Sequence, residues 1–206
     1  RGLAIDIKNQ MVYWADDGGA NVIQRAPMDG GTAETLVTGL SDPQGVALDL
    51  ENEMVYWADQ TTDVIQRARM DGGAVETVVS SPGDQPKGIA LDTTLGFVYW
   101  ADDASGGFIK KSSIKDGTTE TLITGLNQPS GIALDIDGGG MYWTDFGDDV
   151  IRFAAMSNRR LFDNAYVTHE IPQADLRYAW IHASAITTED QLPGHQNSSS
   201  IAYQPF

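Results

Sequence analysis

The pair Tyr-Trp occurs at Tyr13-Trp14, Tyr56-Trp57, Tyr99-Trp100 and Tyr142-Trp143, at a period of 43 residues. A fixed period of this length means that the chain is built from like units. Each unit buries its apolar faces only against its neighbours. The rest of the repeat keeps the same spacing. Upstream, GLAID at 2–6 returns as GVALD at 45–49 and as GIALD at 88–92 and 131–135. Asp16, Asp59, Asp102 and Asp145 each follow the Trp by two residues, and then come NVIQRAPMDGG, DVIQRARMDGG, GFIKKSSIKDG and DVIRFAAMSNR. ETLVTGL, ETVVSSP and ETLITGL follow in the first three units, with Pro43, Pro86 and Pro129 at the joins.

Each unit reads as four short strands. The G-(L/V/I)-A-(I/L)-D run is compact and apolar, as a strand buried on both faces requires. The Tyr-Trp segment and the V-I-Q-R type segment are β-branched or aromatic and are bounded by Asp and Gly. ETL(V/I)T supplies a fourth strand, and the Met-Asp-Gly-Gly runs at 28–31 and 70–73 are turn chemistry. Four antiparallel strands every 43 residues predict an all-β fold, a β-propeller with about four blades present. A stacked solenoid fits less well, because solenoid repeats are usually shorter or helical.

The run G-(I/V/L)-A-(I/V/L)-D, then Y-W-(A/T)-D, then I-x-R-A-x-M-D-G resembles the YWTD, or LDL-receptor class B, repeat. The fourth repeat carries Tyr142-Trp143-Thr144-Asp145, whereas Ala15, Ala58 and Ala101 replace the Thr in the others. The resemblance spans roughly residues 1–156. It implies a family norm of six blades, an extracellular or cell-surface setting and a module that binds a protein or peptide without doing chemistry. It also implies inter-blade polar contacts between the motif Asp (Asp16, Asp59, Asp102, Asp145) and the Arg of I-x-R (Arg25, Arg67). Repeat three has Lys111 at that position, and repeat four has Phe153 with Arg152 one position early.

Residues that recur once per unit serve packing, because a catalytic group is needed only once. The Tyr-Trp pairs are therefore expected in the core between blades. Asp6, Asp49, Asp92 and Asp135 are expected to cap the inner strand, and Gly2, Gly45, Gly88 and Gly131 to allow close approach near the axis. Unrepeated features are few. His169, His182 and His195 lie in the tail at equal spacing, without carboxylates at ligand distance. Asp135-Ile136-Asp137-Gly138 begins like a calcium loop but lacks the rest of one. Asn197-Ser198-Ser199 is a glycosylation sequon. No Ser-His-Asp set, phosphate loop or His-Glu-x-x-His pattern is present. No catalytic residue, metal ligand or cofactor is expected from these patterns.

Charge sharpens the functional reading. The 206 residues carry 13 Lys and Arg against 29 Asp and Glu, a net −16, and no Cys. Such a chain lacks the basic footprint of a nucleic-acid binder and is repelled by anionic lipid. It holds no apolar run long enough for a membrane-spanning helix. In an antiparallel blade the second-to-third-strand loop and the blade-to-blade connection share one end. Asp16, Asp17, Asp42, Asp59, Asp63, Asp84, Asp102, Asp103, Asp145, Asp148 and Asp149 fall there, against Lys87 in the same loops. The other end carries Glu51, Glu53, Asp137, Asp29, Asp71 and Asp116 against Lys8 and Lys115. Asp17, Asp63, Asp103, Asp148 and Asp149 are the candidate docking residues for a basic or polar peptide or loop.

Regularity fails after Met156. Residues 1–156 are read as blades, with repeats starting near 1, 44, 87 and 130, and 157–206 as a non-repeat tail. Strand-like stretches at 164–171 and 176–187 either complete the last blade or begin another β segment. Three full repeats and most of a fourth are fewer than six blades. A portion of a longer receptor-like protein, or an open arc that self-associates through its end faces, fits this count. A propeller hydrolase of lactonase or synthase type and a purely structural scaffold are the alternative functions.

Overall fold

Each repeat folds into a four-stranded antiparallel meander, because its alternating residues face two neighbours and its Asp/Gly clusters turn the chain. In this computed structural model the described residues are 1–80, 83–157 and 160–161, all within one compact unit, Arg1–Gln173. Blade 1 contains β1 (Leu3–Asp6), β2 (Met11–Asp16), β3 (Val22–Pro27) and β4 (Glu34–Val37). Blade 2 contains β5 (Pro43–Asp49), β6 (Met54–Asp59), β7 (Val64–Arg69) and β8 (Glu76–Ser80). Blade 3 contains β9 (Pro86–Asp92), β10 (Phe97–Asp102), β11 (Phe108–Ser113) and β12 (Thr119–Thr124). Blade 4 contains β13 (Pro129–Asp135), β14 (Gly140–Asp145), β15 (Val150–Ser157) and β16 (Arg160–Leu161). Strands pair in sequence order within every blade, and the four blades are arranged as a β-propeller.

The register is the same in every blade, and it divides the side chains between two faces. The motif Tyr lies opposite an inner-strand Ala and the third-strand Arg, Lys or Phe: Ala4–Tyr13–Arg25, Ala47–Tyr56–Arg67, Ala90–Tyr99–Lys111 and Ala133–Tyr142–Phe153. The motif Trp heads the other row, as in Leu3–Trp14–Gln24 and Ile132–Trp143–Arg152. Tyr therefore looks forward to the next blade, and Trp looks back to the previous one.

Three seams between blades form the core. Tyr13, Ala15 and Ile23 of blade 1 meet Val46, Val55, Trp57 and Met70 of blade 2. Tyr56, Ala58 and Ile65 meet Ile89, Val98 and Trp100 in the second seam. Tyr99, Ala101 and Ile109 meet Met141, Trp143 and Met156 in the third. Trp57, Trp100 and Trp143 are fully buried, and each contributes roughly 4–6 kcal/mol of transfer free energy at ordinary aromatic areas. The close approach of inner strands demands glycine. A Cβ on Gly45 would stand 2.5 Å from the Lys87 carbonyl oxygen, and one on Gly88 2.4 Å from that of Ser130.

The turn after each inner strand is closed by its last Asp. Asp6 accepts from Asn9 N at 3.0 Å and Nδ2 at 2.7 Å, and Asp49 does the same with Asn52. Asp92 accepts from Leu95 N and Asp135 from Gly138 N. Asp135 thus spends its carboxylate on its own turn. The outer strands β4, β8 and β12 carry exposed Glu and Thr, which disfavours edge-to-edge pairing.

The fourth described strand of blade 4 is the short β16. β15 runs eight residues rather than six, and β16 pairs with its end directly, Met156 with Leu161 and Ser157 with Arg160. The stretches 164–171 and 176–187 lie outside the described residues, as does most of the tail.

Candidate functional site

The second-to-third-strand loops and the inter-blade connections meet at one end of the blades and are stitched by backbone hydrogen bonds. Gln60 N donates to Asp42 O at 3.0 Å, Asp103 N to Gln85 O at 3.1 Å and Phe146 N to Gln128 O at 3.0 Å. The motif aspartates anchor the same connections. Asp59 accepts from Ser41 N at 2.8 Å, Asp42 N at 3.2 Å and Thr62 N at 3.3 Å. Asp102 accepts from Gln85 N and Ala104 N, and Asp145 from Asn127 N. Asp59, Asp102 and Asp145 are buried. Asp16 accepts from Gly18 N in the exposed loop and, among the described residues, from no blade connection.

The candidate docking acids separate by environment. Asp17 is half-buried and ion-paired with Arg1, whose guanidinium holds the Asp17 carboxyl below the usual range. Asp103 pairs with Lys87 at 2.5 Å. Asp63 sits at φ +56°, a conformation that Asp tolerates better than most residues, and accepts from Gly83 N at 2.9 Å. Asp148 is exposed, accepts from Asn127 Nδ2 at 2.9 Å and pairs with Arg152 at 2.5 Å. Those two donors lower its pKa. Asp149 is exposed, also at φ +56°.

Two cations reach this face that loop counting missed. Lys110 of β11 and Arg152 of β15 stand in the Trp row, where blades 1 and 2 have Gln24 and Gln66. Lys110 bridges Asp84 at 2.5 Å and Asp102 at 2.6 Å. Burial raises the Asp84 pKa, with the Asp102 charge in support and the pull of Lys110 opposed. Arg152 bridges Asp145 at 3.3 Å and Asp148. It is therefore not a displaced copy of the I-x-R arginine. Its position in the period-two alternation of β15 was the signal that could have revealed this. With Arg1, Lys87, Lys110 and Arg152 the bases number four against eleven acids, so the face keeps a strong negative excess.

The I-x-R residues lie in the Tyr row, and their bonds differ between blades. Arg25 pairs with Glu34 at 2.8 Å and donates across the seam to Met70 O at 2.6 Å. Arg67 pairs with Glu76 at 2.8 Å and donates to Tyr56 Oη at 3.2 Å, both within its own blade. Lys111 pairs with Glu120 at 3.1 Å. In blade 4 Phe153 packs on Tyr142 with ring centroids 4.9 Å apart. The inter-blade bond of the motif Arg is thus a feature of Arg25, while the connections are held by the motif Asp.

Among the described residues no three His, Cys, Asp or Glu side chains come together in a group able to hold a metal ion. His169, His182, His195 and Asn197 lie outside the described residues. No described helix is long and apolar enough to cross a membrane.

Residues 53–93, from the turn of blade 2 to the end of β9, match the family described as low-density lipoprotein receptor repeat class B. Among solved structures, a chain in the crystal structure of a nidogen/laminin complex is similar over 75% of this chain and 59% of that one, at 29% identity and a TM-score of 0.69. XC5397, a gluconolactonase from Xanthomonas campestris, is similar over 81% of this chain and 61% of that one, at 16% identity and a TM-score of 0.67. At that identity the second likeness is one of fold. The chain spans about three fifths of the length of either structure. No curated protein matches it by sequence. The one-repeat match to the low-density lipoprotein receptor class B model and the likeness to the chain of the nidogen/laminin complex thus fall on a chain whose four blades are arranged as a β-propeller.

Proposed function

We propose that this chain is a non-enzymatic, extracellular protein-binding module that docks a basic peptide or loop of a partner on its connection-loop face. One observation carries the reading. At that end eleven carboxylates, four of them buried (Asp59, Asp84, Asp102 and Asp145), stand against Arg1, Lys87, Lys110 and Arg152, on loops pinned to each other by backbone bonds. A rigid surface with a one-signed field attracts and orients an opposite charge without first having to order itself. The likeness to a chain from a nidogen/laminin complex supports a protein partner, and the class B match supports an extracellular setting.

The test is fluorescence anisotropy of a labelled oligolysine peptide. Affinity should fall at least about tenfold between roughly 50 and 500 mM salt, as the screening length shortens. Replacing Asp17, Asp63, Asp103 and Asp148 together by Asn should produce a loss of similar size. Neutralising Glu51, Glu53, Asp71 and Asp116 on the opposite face should have a much smaller effect. Equal effects from the two sets, or binding indifferent to salt, would refute docking on this face. Turnover of gluconolactone by the same sample would refute the non-enzymatic reading.

A further inference from the structure

We propose that Asp103 is the seat for an arginine of the docking partner, and that Lys87 holds this seat until the partner's guanidinium displaces it. The seat belongs to the docking surface described under the proposed function and rests on that reading. Lys87 Nζ stands 2.5 Å from Asp103 Oδ2, with 26% of the lysine side chain and 15% of the aspartate side chain exposed. The pair is sheltered enough to persist and open enough to be reached. Its backbone is set beforehand, since Asp103 N donates to Gln85 O at 3.1 Å.

The same seat in blade 1 already holds a guanidinium. Lys87 follows the join proline Pro86, and Asp103 follows the motif Asp102. One period of 43 earlier twice over, Arg1 and Asp17 stand at these two places, and Arg1 Nε donates to Asp17 Oδ2. Blade 2 has Gln44 and Gln60 there, and blade 4 has Ser130 and Phe146. A blade therefore folds with or without a charged pair at this point, and packing does not account for Asp103 or Lys87.

Lys87 is also the displaceable cation among those that strands bring to this end. Lys110 bridges Asp84 and the fully buried Asp102, and Arg152 bridges the fully buried Asp145 and Asp148. Removing either strands a buried carboxylate, which is costly. Lys87 holds one carboxylate that is itself half-buried, and a pair of this kind is weak. An ammonium is a point charge on a flexible stem, whereas a guanidinium is a planar fork that takes both oxygens of a carboxylate. An arriving arginine thus gains more from Asp103 than Lys87 loses, and the released ammonium goes to water.

Two measurements on the 206-residue chain test this, with an N-acetylated oligoarginine as the probe. In fluorescence anisotropy at fixed salt, Lys87→Ala should tighten binding about three- to fivefold, the worth of such a pair expressed as affinity. In an Asp103→Asn background the same replacement should change affinity less than about twofold. Lys115→Ala, which removes the same charge from the opposite end, should have little effect in either background. The natural chain is read directly with an amine-acylating reagent. The probe carries no amine, so saturating it should raise acylation of Lys87 several-fold and leave Lys8 unchanged. A gain from Lys87→Ala that persists undiminished in Asp103→Asn would overturn the proposal, since loss of a positive charge alone would then explain it. Protection of Lys87 by the bound probe would overturn it too, because the peptide would then cover the pair without breaking it. Both of those results leave docking on this face standing. Probe binding that is absent, or indifferent to salt, overturns the docking reading and this seat with it.

Discussion

Asp59 offers the sharpest test of how the blades are joined. Its buried carboxylate accepts three backbone N–H groups, two of them in the connection from blade 1 to blade 2. It makes no ion pair among the described residues. Replacing it by Asn keeps the shape but turns one oxygen into a donor facing other donors. At least one N–H is then left unsatisfied at about 1–3 kcal/mol, and the remaining bonds lose charge assistance worth about 1 kcal/mol. The expected loss is about 2–4 kcal/mol, which for a chain of this length lowers the melting temperature on the order of 10 °C. Asp16 is the internal control. It has the same place in the motif but accepts one N–H in an exposed loop, so Asp16→Asn should cost under about 1 kcal/mol. Urea unfolding followed by tryptophan fluorescence measures both. Equal losses, or an Asp59→Asn loss below about 0.5 kcal/mol, would refute the assignment of the motif Asp to the inter-blade connection.

Two further outcomes follow from the same geometry. Trp57→Ala empties a fully buried position in the first seam and should cost about 3–5 kcal/mol, whereas Trp14→Ala, at a half-buried position of β2, should cost less than half of that in the same urea assay. Stability should also fall in acid. Asp17 and Asp148 titrate below the usual carboxylate range because of their hydrogen-bond and charge partners. Their stabilisation is complete above the unfolded-state pKa and is lost as pH falls through the lower folded-state value. Asp84 works in the opposite sense, since burial raises its pKa. A pH series below about pH 5 should therefore show Asp148→Asn with a shallower acid loss than the natural chain, and Asp84→Asn with a steeper one.

The 43-residue period made the blades, their strand order and the structural weight of Tyr and Trp readable in the sequence, because packing needs recur once per blade. The forward and backward assignment of Tyr and Trp was not readable. It depends on which neighbour each pleat faces, and the sequence pattern is the same either way. The parity of antiparallel turns placed the second-to-third-strand loops and the blade connections at one end of the blades, as the structure has them, but the charge at that end was overcounted. Lys110 and Arg152 enter it from strand positions, and their long side chains carry charge beyond the residues' place in sequence. Phe153 and Arg152 in repeat four looked like a slipped motif. In the structure they are two neighbours on opposite faces of β15, one stacked on Tyr142 and the other bridging Asp145 and Asp148.

The central claim, that the connection-loop face receives a basic partner, is tested most directly by mapping where such a peptide lands. Backbone amide shifts of the isotope-labelled chain titrated with oligolysine should move at the loops carrying Asp17, Asp42, Asp63, Asp103, Asp148 and Asp149. The turns carrying Lys8, Glu51, Glu53, Asp71 and Asp116 should stay still. Shifts concentrated on those turns, or spread evenly over both ends of the blades, would contradict the account.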